Sequence, residues 1–410
     1  MAEITPSGDS RIPRLASIDV MRSITMVLML FVNDIPGLKG IPHWMFHART
    51  DEDMLGFSDL VFPAFLFCVG MSVPLAIDSR LRRGDSQFQL LGHILLRTFA
   101  LLAMGLFTLN SERGAGGIPH EWFSLLMVSG IFLVWLDYSR AWNIKIVRAL
   151  QAIGVALLVG LIVYCDVHGP AFRFGWWGIL GLIGWTYLVC ALAYLLSRRT
   201  SRGVFVAWLV GLLLCVLSHS ELIPHEWFSR IIVLPFVPGG WTGHFLGLSG
   251  MLATICLSLR GRGWWRYLLL GAVMLVFAFI SHRFWIISKI QATPTWAFFC
   301  LSLFFPAVAF FHWLADVRGK GVRVQALAPG VVKTEFHDSE TMKNSGVKEK
   351  IWRPLWCSAE KVVSDSLRQI ERPIRTVACV PTLLYKLVAW GGSAWCLAPF
   401  RVLFSGGRVR

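Results

Sequence analysis

Residues 58–77 read SDLVFPAFLFCVGMSVPLAI, twenty positions with a single charged residue. A helix needs about 20 mostly apolar residues to cross the ~30 Å hydrocarbon core of a bilayer, so this run is long enough to span it. Nine further runs of this kind lie within the first 317 residues. The ten predicted spans lie near residues 20–38, 58–77, 90–109, 122–138, 147–165, 177–196, 203–218, 241–259, 265–282 and 295–314. Because the runs are too long for barrel strands, they predict an all-α polytopic membrane protein, a bundle of about ten transmembrane helices.

Lysine and arginine fall mainly on alternate loops between these runs. Sixteen lie on the side of the N-terminus, and seven lie on the opposite side together with most of the acidic residues. By the positive-inside rule the N-terminal side is cytoplasmic, and an even number of spans places both termini there. The sequence therefore predicts a multi-pass integral membrane protein.

The composition agrees with a chain that is embedded in a lipid bilayer. It is 55% hydrophobic and 15% charged, whereas a soluble domain has about 25% charged residues. Basic loops that meet anionic headgroups account for the net charge of +15, so no nucleic-acid partner is expected. The nine cysteines are scattered without a C-x-x-C pair, and neither a disulfide framework nor a metal site is predicted.

Polar side chains gather where the first span ends and the second begins. Asn33 and Asp34 close the first run, His43 and His47 lie in the loop that follows, and Asp59 opens the second run. Such a group can orient an imidazole and set its tautomer, which a general base or a nucleophile requires. From spacing alone, His47 is either a catalytic histidine or an interfacial loop residue.

A second histidine pattern lies on the same side of the predicted membrane. The run IPHEWFS occurs at 118–124 and again at 223–229, and IPHW at 41–44 is a partial third copy. The repeats are either interfacial anchors or parts of an outer vestibule. In the second interpretation His120 and His225, joined by His244, bind a polar acceptor.

The polar residues at the first two spans also carry a family resemblance. The motifs are the run from Ser17 to Asp34, HA at 47–48, DLVFP at 59–63 and FLF at 65–67. Together they resemble the signature of heparan-α-glucosaminide N-acetyltransferase and its bacterial relatives, the DUF5009-type membrane acyltransferases. Similarity continues at Arg97, at 176–185, at SKI 288–290 and at ATPTW 292–296. The resemblance covers about residues 11–317 and implies an enzyme in a bacterial inner membrane.

What the resemblance implies is transfer of an acetyl group from cytosolic acetyl-CoA to an amino sugar or related glycan acceptor on the opposite face. The family's catalytic histidine falls on His47 and its helix-end asparagine on Asn33, and Asp59 would hold the imidazole in place. Compared with the family, this chain has about two extra residues between His47 and Asp59, so His43 is an alternative to His47 as the catalytic histidine. His43 and Asp34 are also candidates for binding the substrate.

Two arginines near the cytoplasmic ends of spans are candidates for binding the donor. Arg22 and Arg97 could contact the phosphates of CoA, or they could serve only as charges that set the topology. The rival function is a transporter or a non-catalytic membrane protein, and a homo-oligomer is left open.

The chain changes character at about residue 318. Alternation at Val322, Val324 and Ala326, followed by Pro-Gly, predicts a strand that enters a loop. This part resembles the late region of short-chain dehydrogenases and continues through WCSAEKVV at 356–363. It lacks the glycine-rich turn and the Tyr-x-x-x-Lys pair of a working dehydrogenase, so an NAD-dependent oxidoreductase is the least favoured function and NAD is not expected. We predict a membrane acyltransferase-like domain at 1–317 and a small cytoplasmic α/β tail at 318–410.

Overall fold

The computed structural model of the chain describes most of the membrane part and short pieces of the tail. The described residues are 15–35, 40–113, 118, 120–136, 138, 142–169, 172–173, 178–197, 199–220, 241–258, 264–317, 326–327, 331–333, 356–371 and 378–379. The helices before residue 312 are α1 Ala16–Asp34, α2 Val61–Arg82, α3 Gln87–Arg113, α4 His120–Trp135, α5 Ile144–His168, α6 Ile179–Leu196, α7 Ser201–Leu217, α8 Thr242–Ser258, α9 Trp264–Ser281 and α10 Pro294–Phe311. A π-helical turn, His312–Val317, follows α10.

The chain is an all-α polytopic membrane protein, as predicted. Within the described ranges, α1, α2, α3, α5, α6 and α10 are long and apolar enough to cross a membrane, and α4, α7, α8 and α9 are shorter apolar helices. Each predicted run overlaps one of these helices. Several helices extend past the apolar run into polar residues, because helical hydrogen bonding continues where hydropathy falls. The orientation of the helices in the membrane stays a prediction.

Two compact units divide the chain. The first comprises Met1–His120 with Pro170–Lys320, and the second comprises Glu121–Gly169 with Gly321–Arg410. In the first unit, α2 packs against α1, α6 and α8, while α9 pairs with α10. Two glycines allow α2 and α8 to approach closely: a Cβ on Gly70 would lie 1.8 Å from the carbonyl oxygen of Gly247, and one on Gly250 would lie 1.9 Å from that of Phe67. Small residues at such contacts are typical of helices packed in membranes.

In the second unit, α4 and α5 meet through small residues, and Gln151 donates a hydrogen bond to the carbonyl oxygen of Val134 at 3.3 Å. The described pieces of the tail are β1 Ala326–Leu327, β2 Val331–Lys333, β3 Trp356–Ser358, α11 Ala359–Glu371 and β4 Ala378–Cys379. Strand β1 pairs in parallel with β4, and β2 pairs in parallel with β3. The described tail is therefore a small α/β fragment, as predicted; Val322 and Val324 lie outside the described residues.

Candidate active site

His47 and Asp59 form the centre of the polar cluster at the end of α1 and the start of α2. The Nδ1 atom of His47 donates a hydrogen bond to Oδ1 of Asp59 at 2.7 Å. The Asp59 side chain is 1% exposed, whereas that of His47 is 46% exposed. A buried carboxylate thus holds a partly exposed imidazole, and the structure brings together two of the three residues that the sequence assigned to catalysis.

The second oxygen of Asp59 is held by the backbone. Oδ2 accepts hydrogen bonds from the N–H of Ala48 at 3.0 Å and from the N–H of Gly56 at 3.3 Å. Asp59 itself lies in a 3-10 turn, Phe57–Leu60, that leads into α2. Both carboxylate oxygens of Asp59 thus act as hydrogen-bond acceptors. In its hydrogen bond to a carboxylate oxygen, the Nδ1 atom of His47 is the donor and carries the proton.

Glycine is required at position 56 by a close approach between two backbone segments. A Cβ at Gly56 would lie 2.1 Å from the carbonyl oxygen of Phe46 and 2.9 Å from Oδ2 of Asp59. Any side chain at this position would push the histidine loop away from the turn that carries Asp59. The local sequence G-F-S-D therefore sets the distance between the imidazole and the carboxylate.

Lys289, from the loop between α9 and α10, completes the cluster. Its Nζ atom lies 3.1 Å from Nδ1 and 3.5 Å from Nε2 of His47, and 3.8 Å from Oδ1 of Asp59. Burial lowers the pKa of Lys289 and outweighs the negative charge of Asp59, which acts in the opposite direction. From the sequence, Lys289 was one of the outer-loop charges and part of the SKI motif at 288–290 of the family resemblance, but no role in the site was assigned to it.

The loop that carries Lys289 is held in place by the start of α10. Thr293 caps that helix, since its Oγ1 accepts from the N–H of Trp296 at 3.4 Å, and it also accepts from the N–H of Ser288 at 3.1 Å. Ala292 has a φ of 50°, a left-handed conformation that is uncommon for a residue with a Cβ. Trp296 then donates from its indole Nε1 to the carbonyl oxygen of Asp59 at 3.2 Å. The cap thus fixes Lys289 and Asp59 to the same helix end.

Asp53 joins the histidine loop to the lysine loop. Its Oδ1 accepts from the N–H of Ile287 at 2.8 Å and its Oδ2 accepts from Nε2 of His282 at 2.7 Å. Burial raises the pKa of Asp53, but these two hydrogen bonds and the His282 charge outweigh it, so that the pKa lies below the usual value. Gln291 adds a hydrogen bond to the carbonyl oxygen of Thr50 at 3.0 Å. Asp53 belongs to the acidic run at 51–53, between His47 and Asp59.

The other predicted site residues lie apart from this centre. Asn33 is exposed at the end of α1, and within the described part of the chain it has no hydrogen bond to His47 or Asp59. The His43 side chain is 63% exposed and its Nε2 lies 3.5 Å from Oε1 of Glu52. The alternative histidine thus faces the acidic part of the loop and does not contact Asp59.

His244 differs from the expectation of a residue at an open vestibule, because its side chain is buried in α8. Its Nδ1 lies 3.4 Å from Oγ1 of Thr186, and the ring of Trp241 stands nearly perpendicular to it at 5.1 Å. Within the described residues, the Nε2 atom of His244 has no hydrogen-bond partner. His225 and the side chains of His120 and Asp34 lie outside the described residues.

The two arginines predicted for the donor are both exposed. Arg22 lies in the first half of α1, and the guanidinium of Arg97 in α3 lies over the ring of Tyr187 at 5.2 Å. A guanidinium that stacks on an aromatic ring keeps its edge free for an anion. Among the described residues, neither arginine contacts the His47 cluster.

The geometry around His47 suits nucleophilic or general-base chemistry. With Nδ1–H directed to Asp59, the lone pair of Nε2 is the reactive position of the neutral ring. A buried carboxylate stabilises the positive charge that the ring acquires when Nε2 takes a proton or an acyl group.

In comparisons of the chain with family models and with known proteins, the family match includes the segment that carries His47 and Asp59. Residues 14–217, about half of the chain, match the family model described as "Domain of unknown function (DUF5009)". The heparan-alpha-glucosaminide N-acetyltransferase of Homo sapiens is 41% identical over 111 residues, which are 27% of this chain and 16% of that protein. The protein of the same name from Mus musculus is 38% identical over 109 residues, with the same coverage. The matched stretch spans about a sixth of these relatives. The family match ends before Lys289 and before the tail, whose resemblance to short-chain dehydrogenases stays a prediction.

Proposed function

Because residues 14–217 belong to the DUF5009 family, as the sequence motifs predicted, we propose that this protein is a transmembrane acyltransferase. It moves an acetyl group from acetyl-CoA on the cytoplasmic side to an amino sugar or related acceptor on the outer face. The observation that carries the proposal is the hydrogen bond between His47 and the buried Asp59. Two relatives whose names specify N-acetyl transfer add support for the acetyl group and the amine.

The partly exposed imidazole is well suited to act on a bound acceptor. Asp59 fixes the ring through Nδ1, and the His47 side chain is 46% exposed. A general base must lie within hydrogen-bond reach of the proton that it removes, and a partly exposed imidazole allows an amine or a hydroxyl to approach its Nε2 atom. Polar acceptors of this kind carry no apolar surface that would draw them into the lipid, so they would approach from the aqueous side.

Two mechanisms are compatible with this arrangement. In direct transfer, Nε2 of His47 takes the proton of the acceptor while the acceptor nitrogen or oxygen attacks the thioester carbonyl. The C–S bond breaks, and the CoA thiolate receives a proton. In the two-step route, Nε2 attacks the carbonyl itself, the C–S bond breaks, and CoA leaves as the thiolate, which takes a proton from water. The acetyl-imidazolium then transfers its acetyl group to the acceptor, which loses its proton to water, and the neutral ring is regenerated. Asp59 stabilises the positively charged ring in both routes.

The donor side of the proposal rests on charge. Arg22 and Arg97 are exposed cations that could bind the CoA phosphates, and the exposed edge of Arg97 above Tyr187 suits an anion. A transporter and a non-catalytic membrane protein, the rival functions predicted from the sequence, would need neither a fixed imidazole tautomer nor a thioester.

The test uses the full chain, purified in lipid nanodiscs, with labelled acetyl-CoA and a panel of amino sugars. We expect acetyl transfer by the native protein, and a loss of about 10²- to 10⁴-fold in His47→Ala, the range typical of a general acid or base. His43→Ala is the matched control, because His43 lies in the same loop but bonds to Glu52. Transfer that survives His47→Ala, or that is lost only in His43→Ala, would contradict the proposal.

The two mechanisms are separated by omitting the acceptor. After acetyl-CoA alone is mixed with the protein and the reaction is stopped in a single turnover, the two-step route leaves an acetyl group on the peptide that contains His47. Direct transfer leaves that peptide unmodified and shows no burst of free CoA.

A further inference from the structure

The amino group of Lys289 lies over the face of the His47 imidazole. Its Nζ atom is 3.1 Å from Nδ1 and 3.5 Å from Nε2. In the ring plane, a point at these two distances would overlap ring carbon atoms, and a point on the lone pair of one nitrogen would be much farther from the other nitrogen. The amino group is therefore above the ring and close to both nitrogens.

Two hydrogen bonds fasten the loop that carries Lys289 to the histidine loop. The N–H of Ile287 donates to Oδ1 of Asp53 at 2.8 Å, and the side-chain amide of Gln291 donates to the carbonyl oxygen of Thr50 at 3.0 Å. These contacts lie on both sides of Lys289 in the sequence, and its side chain is 25% exposed. An amine that is held beside a reactive atom can reach an effective concentration far above that of a dissolved amine.

Lys289 also has the chemistry of an acetyl acceptor. The free amine of a lysine is a nucleophile that can take an acyl group. Burial lowers the pKa of Lys289 although the Asp59 carboxylate lies 3.8 Å away, so the free amine is more populated than in an exposed lysine. Among the described residues, Asp59 and Lys289 are the polar side chains that contact the His47 ring. Of these two, the lysine is the one that forms a stable acyl product, an amide.

The position of Lys289 matches the direction from which a nucleophile would attack an acyl group on His47. An acetyl group bonded to Nε2 is conjugated with the imidazole and lies near its plane, for the resonance reason that keeps a peptide bond flat. A nucleophile approaches a carbonyl carbon from above that plane. The carbon would lie one bond length beyond Nε2, and rotation of the flexible lysine side chain carries Nζ along the ring face toward it.

We propose that Lys289 is an internal acetylation site, which takes the acetyl group from Nε2 of His47 when no external acceptor is bound. The lone pair of Nζ attacks the acetyl carbonyl carbon and a C–N amide bond forms. The C–Nε2 bond breaks, its electron pair returns to the imidazole, and the proton that Nζ loses goes to water. The product is Nε-acetyllysine at position 289 beside an unmodified His47. This inference rests on the proposed function and on its two-step route.

The test follows the acetyl group in the full chain, purified in nanodiscs. The protein is mixed with deuterated acetyl-CoA for a single turnover, CoA is removed on a rapid spin column, and the protein is then kept without an acceptor. Mass spectrometry quantifies the acetyl group over time on the peptides that contain His47, Lys289 and Lys145. Lys145 is an exposed lysine in α5, and it reports non-enzymatic acetylation.

We expect the acetyl group on His47 to decline while acetylation of Lys289 rises to at least about tenfold that of Lys145. His47→Ala should lower the acetylation of Lys289 to the level of Lys145. His43→Ala is the matched control and should not lower it, because His43 contacts Glu52 instead. If His47→Ala does not fold, His47→Gln removes the same nucleophile with a smaller loss of volume. An amino sugar that the protein accepts should protect Lys289, since it competes for the same acetyl group.

The outcomes separate this inference from the proposed function. Acetylation of Lys289 no higher than that of Lys145 would overturn the inference. Acetylation that persists in His47→Ala would also overturn it, because the acetyl group would then come directly from the thioester. If amino sugars are acetylated but Lys289 is not, the inference fails and the proposed function stands. If Lys289 is acetylated through His47 but no amino sugar is, the inference stands and the proposed acceptor is wrong.

Discussion

Replacing Asp59 with asparagine tests the central interaction of the site with almost no change in volume. The amide can offer its oxygen either to the N–H groups of Ala48 and Gly56 or to His47, but not to both. Two backbone donors outweigh one, so the oxygen should turn toward Ala48 and Gly56. The amide NH₂ then faces His47, whose Nδ1 must become an acceptor, and the proton moves to Nε2. Asp59→Asn should therefore leave His47 in the unreactive tautomer.

The structure sets the size of both effects. A histidine held in the wrong tautomer by an Asp-to-Asn change can lose as much as about 10⁴-fold in kcat. The change also removes a charge-assisted hydrogen bond, and such bonds contribute about 1.5–3 kcal/mol each. It leaves Lys289 without its carboxylate at 3.8 Å. We therefore expect a loss of stability of about 2–4 kcal/mol together with the loss of activity.

The measurements are acetyl transfer and thermal unfolding of the full chain in nanodiscs. Asp51→Asn is the matched control, because Asp51 is an exposed acid in the same loop, and it should change neither quantity appreciably. The reasoning is refuted if Asp59→Asn keeps activity within about tenfold of the native protein, since the tautomer would then not matter. Lost activity with unchanged stability would show that Asp59 orients the ring but contributes little to the fold.

Three further outcomes follow from particular contacts. Gly56→Ala should lower the unfolding temperature and the transfer rate, because its Cβ would lie 2.1 Å from the carbonyl oxygen of Phe46. The control Gly92→Ala, whose Cβ would have no atom within 4 Å, should be neutral or slightly stabilising. Equal effects of the two changes would contradict the close approach at Gly56. The pKa of Asp53 is lowered, so its stabilising contacts are present at neutral pH and weaken as the pH falls below about 3.8. Below that pH, hydrogen exchange should show reduced protection of the Ile287 amide. Asp53→Asn should show the same reduced protection already at neutral pH. Cysteines placed at residues 51 and 82 should react with impermeant reagents from opposite sides of the membrane; labelling from the same side would refute the predicted topology.

The amino-acid sequence by itself determined the class of the fold and the location of the helices. Apolar runs of about twenty residues can satisfy their backbone groups in lipid only as helices, so composition along the chain was sufficient. The same local reasoning identified His47 and Asp59, because both lie within one short connection between two spans and carry the family motif. The strand predicted from the alternation at Val322, Val324 and Ala326 stays a prediction, because Val322 and Val324 lie outside the described residues. The ends of the helices were less well predicted, since hydropathy does not mark where helical hydrogen bonding stops.

Only the tertiary structure decided what surrounds the imidazole. Lys289 is separated from His47 by 242 positions. No periodicity or spacing links two loops between which the described residues alone form eight helices. The packing of α10 against α2 brings them together, and the Thr293 cap and the Asp53 bridge hold them. The structure likewise separated Asn33 and His43 from Asp59, although both are polar residues of the same short stretch of sequence as His47. Sequence fixes which groups a loop offers, but hydrogen-bond geometry selects the ones that meet, because a buried carboxylate accepts only the donors that can reach it.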